Sequence, residues 1–178
     1  MSSVRGTSPR IETTTPNSAA AQVIATLRSR GLTIAVAESL TGGLLTAGLV
    51  GVPGASAALL GGVVAYNTAI KHSVLGVDAA LLAAEGPVHP RVAEQMAAGV
   101  RTALAVDGRA ADIGISTTGV AGPGPQDGTP AGTVYLGFAV GASATSVRLQ
   151  LDGDRAHIRS AVVSESLSRL VALLADLR

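Results

Sequence analysis

The sequence contains no cysteine and no tryptophan, and only two tyrosines and one phenylalanine. The first absence excludes disulfide frameworks, thiolate nucleophiles and cysteine-based metal sites together. The shortage of rings removes the platforms on which single-stranded nucleic acid stacks. A net charge of +1, with charges scattered along the chain, removes the basic stripe that would neutralise a run of phosphates. Both features argue against a nucleic-acid partner. His72, His89 and His157 have no metal-ligand spacing, so neither a metal nor another cofactor is expected. No basic segment followed by an apolar stretch opens the chain, and no apolar run reaches the ~18 residues of a spanning helix. The expectation is a cytoplasmic protein without a membrane partner.

Lysine is nearly absent as well. Of 13 basic residues only Lys71 is a lysine, the rest being arginines. A guanidinium effectively never gives up its proton, whereas an amine is readily tuned to do so. Lys71 is therefore either the chance survivor of a biased composition or a group kept for proton transfer.

What the chain does have is apolar content. At 178 residues and 47% hydrophobic it has the length of one domain and ample material for a core. Ala, Val and Leu dominate, which suits close helix–sheet packing. The same small-residue helices suit a homo-oligomer interface equally well. Residues 1–17 are Ser/Thr/Pro-rich and aperiodic and read as a disordered tail, with the folded domain at 18–178. Helical periodicity runs over 19–30 and stops at Gly31, a natural residue to follow a helix. Residues 32–37 read as a buried parallel strand and 61–66 as another strand. Between and after them come helices at 44–50, from Asn67 to 75, 78–84, and from Pro90 to about 106. A strand at 111–118, a Gly/Pro-rich loop to 132, a hairpin of 133–140 with 145–151 and a helix over 156–177 complete the chain. Alternating strands and helices plus one hairpin predict an α/β fold: a three-layer α/β/α sandwich with a mixed, mostly parallel sheet.

In such sheets ligands bind beyond the carboxyl ends of the strands. Three segments fall there. Glu38-Ser39-Leu40-Thr41-Gly42-Gly43 joins a strand to a helix, so amides near Thr41 to Gly43 would face an anion, although Ser and Thr also serve there as plain caps. Tyr66-Asn67-Thr68-Ala69-Ile70-Lys71 sets the lone lysine about one turn into a helix, in reach of the same cleft. A phenol and an amine both carry protons once their pKa values shift, but packing and solvation explain them equally well in isolation. The loop after Thr118 could bring the amides of Gly119 to Gly122 close to a phosphate or ribose, yet it lacks both GxGxxG and a Walker A lysine. Asp127 in that loop could accept ribose hydroxyls, or be a plain turn residue. Asp154 can cap the last helix, and Arg155 could fork onto a phosphate or pair on the surface. A serine with a lysine as base is sufficient for acyl transfer, but no residue names the substrate.

Ala37-Glu-Ser-Leu-Thr-Gly-Gly43, Gly62-Val-Val-Ala-Tyr-Asn-Thr-Ala-Ile-Lys71, Gly86-Pro-Val88, Thr118-Gly-Val-Ala-Gly-Pro123 with Gly132-Thr-Val134, and Gly153-Asp-Arg155 resemble, in order, the motifs of the CinA carboxy-terminal domain family. The resemblance spans residues from about 19 to 177. It implies an α/β/α fold, no metal, and hydrolysis of nicotinamide mononucleotide to nicotinic acid mononucleotide and ammonia. It places the family's nucleophile on Ser39, its tyrosine on Tyr66 and its lysine on Lys71. Substrate is then expected at Thr41 and Gly42, in the stretch from Leu40 to Gly42 whose amides would hold the oxyanion. It is expected also at Gly119 to Gly122 with Thr118 and Arg155, which would hold the ribose phosphate, while Lys71 takes the Ser39 proton directly or through Tyr66. Two departures stand out: Glu85-Gly-Pro-Val-His89 replaces a stretch that begins with histidine in many relatives, and Leu40 stands where cysteine is common. Two other readings fit the same residues: a nucleotide-binding sensor that lost its chemistry, and a serine amidase or esterase for another small substrate.

Overall fold

A computed structural model describes residues 18–177. The expected tail at 1–17 lies outside the described residues. The chain runs α1 (Ser18–Arg30), β1 (Ile34–Glu38), α2 (Leu44–Val50), a short 3-10 turn (Ala55–Ala57), β2 (Leu59–Val64), α3 (Thr68–Ser73), α4 (Ala79–Glu85), α5 (Pro90–Ala103), β3 (Ile113–Gly119), β4 (Thr133–Val140), β5 (Ser143–Gln150) and α6 (Arg155–Asp176).

Strand β1 organises the molecule. All five of its residues are buried, as expected of a strand covered on both faces. Alternation sends Ile34 and Val36 into a core shared with α1, α2 and α6, and Ala35 and Ala37 into a second core with Val92 and Met96 of α5. These are the two interfaces of a three-layer α/β/α sandwich. On the second face the packing is close. Backbone carbonyls of α5 occupy the space where a side chain on Gly114 or Gly137 would begin, Ala97 O against the first and Ala93 O against the second. Ser116, between them, donates to Ala93 O at 2.6 Å. Only glycine admits a helix backbone this near a sheet.

The strand order is β2-β1-β3-β4-β5. β1 pairs in parallel with β2 and β3, while β3–β4 and β4–β5 are antiparallel. Only β4 runs against the others, yet the pairings divide evenly, so the sheet is mixed as expected but not mostly parallel by pairing. The cause is local: the hairpin of β4 and β5 adds antiparallel neighbours at one edge.

Most expected boundaries hold within two or three residues. The second strand is displaced: β2 ends with Val64 opposite Glu38, so Tyr66 lies beyond the ladder. Caps chosen from the sequence are in place. Asn67 accepts from the Ala69 amide at 2.9 Å, and Asp154 accepts from the His157 amide at 2.8 Å.

Candidate active site

Strands β1 and β3 run side by side and end beside a cavity of about 240 Å³ lined by Ser39, Tyr66, Lys71, Thr118, Gly119 and Arg155, among others. Ser39 is the first residue after β1 and is still tied to the sheet, its amide donating to Thr117 O at 2.9 Å. Lys71 reaches the same point from α3, whose start is fixed by the Asn67 cap. Its Nζ lies 3.0 Å from Ser39 Oγ and 2.7 Å from the Ala65 carbonyl. The side chain is 1% exposed. Burial penalises its charged form and pulls its pKa down to about 8. Roughly a tenth of such amines are neutral at pH 7, about 300-fold more than for an unperturbed lysine. A nucleophile and a base in hydrogen-bond reach, with the base held by a third group, is the geometry of nucleophilic acyl transfer.

Tyr66 is elsewhere. Its ring is 62% exposed, and its hydroxyl accepts from Arg155 at 3.0 Å, while the same guanidinium donates to the Gly122 carbonyl at 3.0 Å. Tyr66 and Arg155 thus form a polar rim bridging the end of β2, the loop after β3 and the start of α6. The ending of β2 at Val64 explains why Tyr66 does not point into the Ser39–Lys71 contact.

Of the six residues expected to bind substrate, three line the cavity. Thr118 does so with its hydroxyl donating to the Pro87 carbonyl at 2.7 Å, and Gly119 sits where a side chain would collide with Thr133 and Val134. Arg155 is the third. Thr41, Gly42 and Gly122 are not in the lining. Thr41 is fully buried and its hydroxyl is paired with Thr117 at 2.7 Å. The Gly42 amide closes a turn onto the Ser39 carbonyl at 3.2 Å. Gly122 presents its carbonyl to Arg155, and the neighbouring Val120 amide is used by Thr133 O.

The helix start expected to face an external anion faces an internal one. Glu38, fully buried, accepts from the amides of Gly43, Leu45 and Thr46 at 2.8–3.1 Å and from the Thr46 hydroxyl at 2.6 Å. The first turn of α2 thereby gains a carboxylate cap from the residue preceding the nucleophile, which satisfies donors that a helix start leaves open. Nothing in the local pattern marked Glu38 for this, since Gly43 occupies the capping position and contributes no side chain. Gln126 and Thr68 also line the cavity without having been singled out. The substituted Glu85 is exposed at the end of α4 and outside the cavity lining, and His89 caps α5 through its Nδ1, which accepts from the Arg91 amide. Among the described residues no three His, Asp or Glu side chains gather as a metal-binding group, and no helix is long and apolar enough to cross a membrane.

Residues 16–174 match the profile of the CinA C-terminal domain. The chain belongs to the CinA C-terminal domain family. It is 49% identical over 155 residues to a CinA-like protein of Frankia casuarinae, covering 87% of this chain and 35% of that protein. A putative competence-damage inducible protein of Geobacillus kaustophilus is 49% identical over 150 residues, with 84% and 35% covered. The chain therefore spans about a third of the length of these curated relatives. Among solved structures, the competence damage-inducible protein A of Klebsiella pneumoniae is similar with a TM-score of 0.82 at 35% identity, over 90% of this chain and 97% of that one. A CinA superfamily protein of Escherichia coli gives 0.82 at 28% identity, over 93% and 94%. The α/β fold and the family expected from the motifs are thus established for this CinA domain.

Proposed function

We propose that this CinA domain is an amidohydrolase that deamidates nicotinamide mononucleotide, with Ser39 as nucleophile and Lys71 as its base. The observation that carries the reading is the 3.0 Å contact between Ser39 Oγ and the amine of a buried lysine. The substrate comes from the resemblance of the motifs to the nicotinamide-nucleotide amidohydrolases of the family.

The reaction balances with these groups alone. Neutral Lys71 takes the Ser39 hydroxyl proton as Oγ bonds to the carboxamide carbon, giving a tetrahedral oxyanion. The C–N bond then breaks, the Lys71 proton goes to the leaving nitrogen, and ammonia departs from an acyl-serine. Water attacks the acyl carbon, Lys71 takes its proton and returns it to Ser39 Oγ, and nicotinic acid mononucleotide leaves. The direct contact makes a relay through Tyr66 unnecessary, so Tyr66, with Arg155, is assigned to the ribose phosphate at the rim. The Leu40 amide, on the cavity lining, is assigned to the oxyanion. Unlike those of Gly42 and Gly43, it has no acceptor among the described residues. Each such donor is worth ~3–4 kcal/mol to the transition state.

The test is incubation of the protein with nicotinamide mononucleotide, following ammonia and nicotinic acid mononucleotide, beside Lys71→Arg. Product from the native chain and none from Lys71→Arg, which keeps the charge and removes the base, supports the assignment. Binding of the nucleotide without turnover identifies the sensor instead, and turnover of other amides in preference identifies a different amidase.

A further inference from the structure

Arg159 stands four residues into α6 and does not line the cavity. Its Nε donates to the Leu40 carbonyl at 2.9 Å and its terminal nitrogen to the Thr41 carbonyl at 2.8 Å. These are the two peptide oxygens that follow the nucleophile. The guanidinium is not spent on a carboxylate: the one ion pair among the described residues is Arg169 with Glu165. Its planar fork matches two successive carbonyls, and it is half-buried against the turn.

The consequence lies in the peptide plane. In a trans peptide the N–H points opposite to the C=O of the same unit, and the only cis bond among the described residues is Gly122–Pro123. Fixing the Leu40 carbonyl toward α6 therefore fixes the Thr41 N–H away from α6. One unit earlier, the Ser39 carbonyl accepts from Gly42, which turns the Leu40 N–H out of the turn. The same guanidinium holds the Thr41 carbonyl, whose unit carries the Gly42 N–H that closes onto Ser39. Glu38 completes the arrangement from the other end of the turn, binding the amides of Gly43, Leu45 and Thr46. The Leu40 and Thr41 carbonyls go to Arg159, the Ser39 carbonyl goes to Gly42, donors beyond the turn go to Glu38, and of the cavity-lining residues of the turn Leu40 keeps its amide free.

We propose that Arg159 is a positioning residue of the hydrolase. By holding the Thr41 carbonyl it aims the Gly42 N–H of the same peptide unit at the Ser39 carbonyl, and that bond orients the unit whose Leu40 N–H receives the oxyanion, all without touching substrate. The inference rests on the amidohydrolase reading given above and assigns that site a further residue, one 120 positions from the nucleophile in sequence. An arginine acting this way lowers the barrier without contributing to substrate affinity, because the oxyanion exists only in the transition state.

The experiment compares kcat and KM for nicotinamide mononucleotide in the native chain, Arg159→Ala and Arg159→Lys, each with a melting curve. Arg159→Ala is expected to lose at least tenfold in kcat with KM within twofold. Added guanidinium ion at millimolar concentration should recover several-fold of the loss. Arg159→Lys, able to reach one carbonyl at a time, should fall between the two and keeps the question answerable should the alanine variant not fold. A folded variant with kcat within twofold of native, or a loss confined to KM, overturns the positioning role while leaving the hydrolase intact. Absence of turnover by the native chain overturns the hydrolase reading and this inference with it.

Discussion

The two ends of β1 carry polar pairs of opposite character. At the amino end Asp112, just before β3, accepts from both the amide and the hydroxyl of Thr33 at 2.8 Å, and the Thr33 hydroxyl oxygen accepts from the Asp112 amide at 3.1 Å. Burial alone would raise that carboxyl. The Thr33 bonds, with Arg109 and Arg101 nearby, outweigh it and hold the group below the ordinary carboxylate range. At the carboxyl end Lys71 meets Ser39 and has been driven the other way, toward losing its charge. One pair is built so that the charged form is welcome, the other so that it is not. Charge is satisfied where strands begin and made reactive where they end, which is also where loops gather in open α/β sheets.

The sharpest way to break this contrast is to remove chemistry from one end only. Ser39→Ala and Lys71→Arg are expected to lower kcat by about 10³-fold or more, read as ammonia release, while both variants remain folded by circular dichroism. Asp112→Asn should leave kcat within twofold.

Stability against pH separates the ends next. The folded pKa of Lys71 lies near 8 and its ordinary value is 10.5, so between those values the folded chain holds fewer protons than the unfolded one and its stability rises with pH. Denaturant titrations at pH 8 and pH 10.5 should show the native chain gaining up to about 3 kcal/mol relative to Lys71→Met. The Asp112 contribution has the opposite direction: present at neutral pH and lost as pH falls through its lowered folded value. Equal pH slopes for native and Lys71→Met would erase the contrast.

The rate profile is a smaller lever. With neutral Lys71 as base, kcat/KM should rise about tenfold per pH unit below 8 and level off above it. A profile flat from pH 6 to 9 would show that the lysine acts as a fixed cation. Smallest is Asp112→Asn itself, expected to cost about 1 kcal/mol through weakened bonds to Thr33, or about 2–4 °C in melting temperature for a domain of this size.

Legibility followed sequence distance. Ser39 stood out at a strand–helix junction and Lys71 as the one lysine, so both ends of the central contact could be named before any fold was known. Helix starts with side-chain caps, at Asn67 and Asp154, were equally visible because the cap and the amide that donates to it are two or three residues apart. The roles of Glu38 and Arg159 were not. Glu38 follows an apolar run and reaches forward to amides five to eight residues away, replacing a cap that Gly43 cannot supply. Arg159 is one of twelve arginines, and its partners lie on a different element. β2 ends two residues earlier than expected, and the Tyr66 hydroxyl beyond it meets Arg155, a partner on another element that local pattern does not show. Thr41 and Gly42 were read as ligand groups from a motif whose side chain and amide the turn uses for itself.

The sequence by itself determined the residue types that make acyl transfer feasible, the alternation of strands and helices, and the family, because these depend on local pattern and on the order of motifs. Only the tertiary structure decided which of those residues meet. An amine becomes a base through the burial that packing imposes on it, and a backbone amide becomes a free donor through the bonds its neighbours have already made. Both are properties of groups brought together from distant parts of the chain, and no window of sequence contains them.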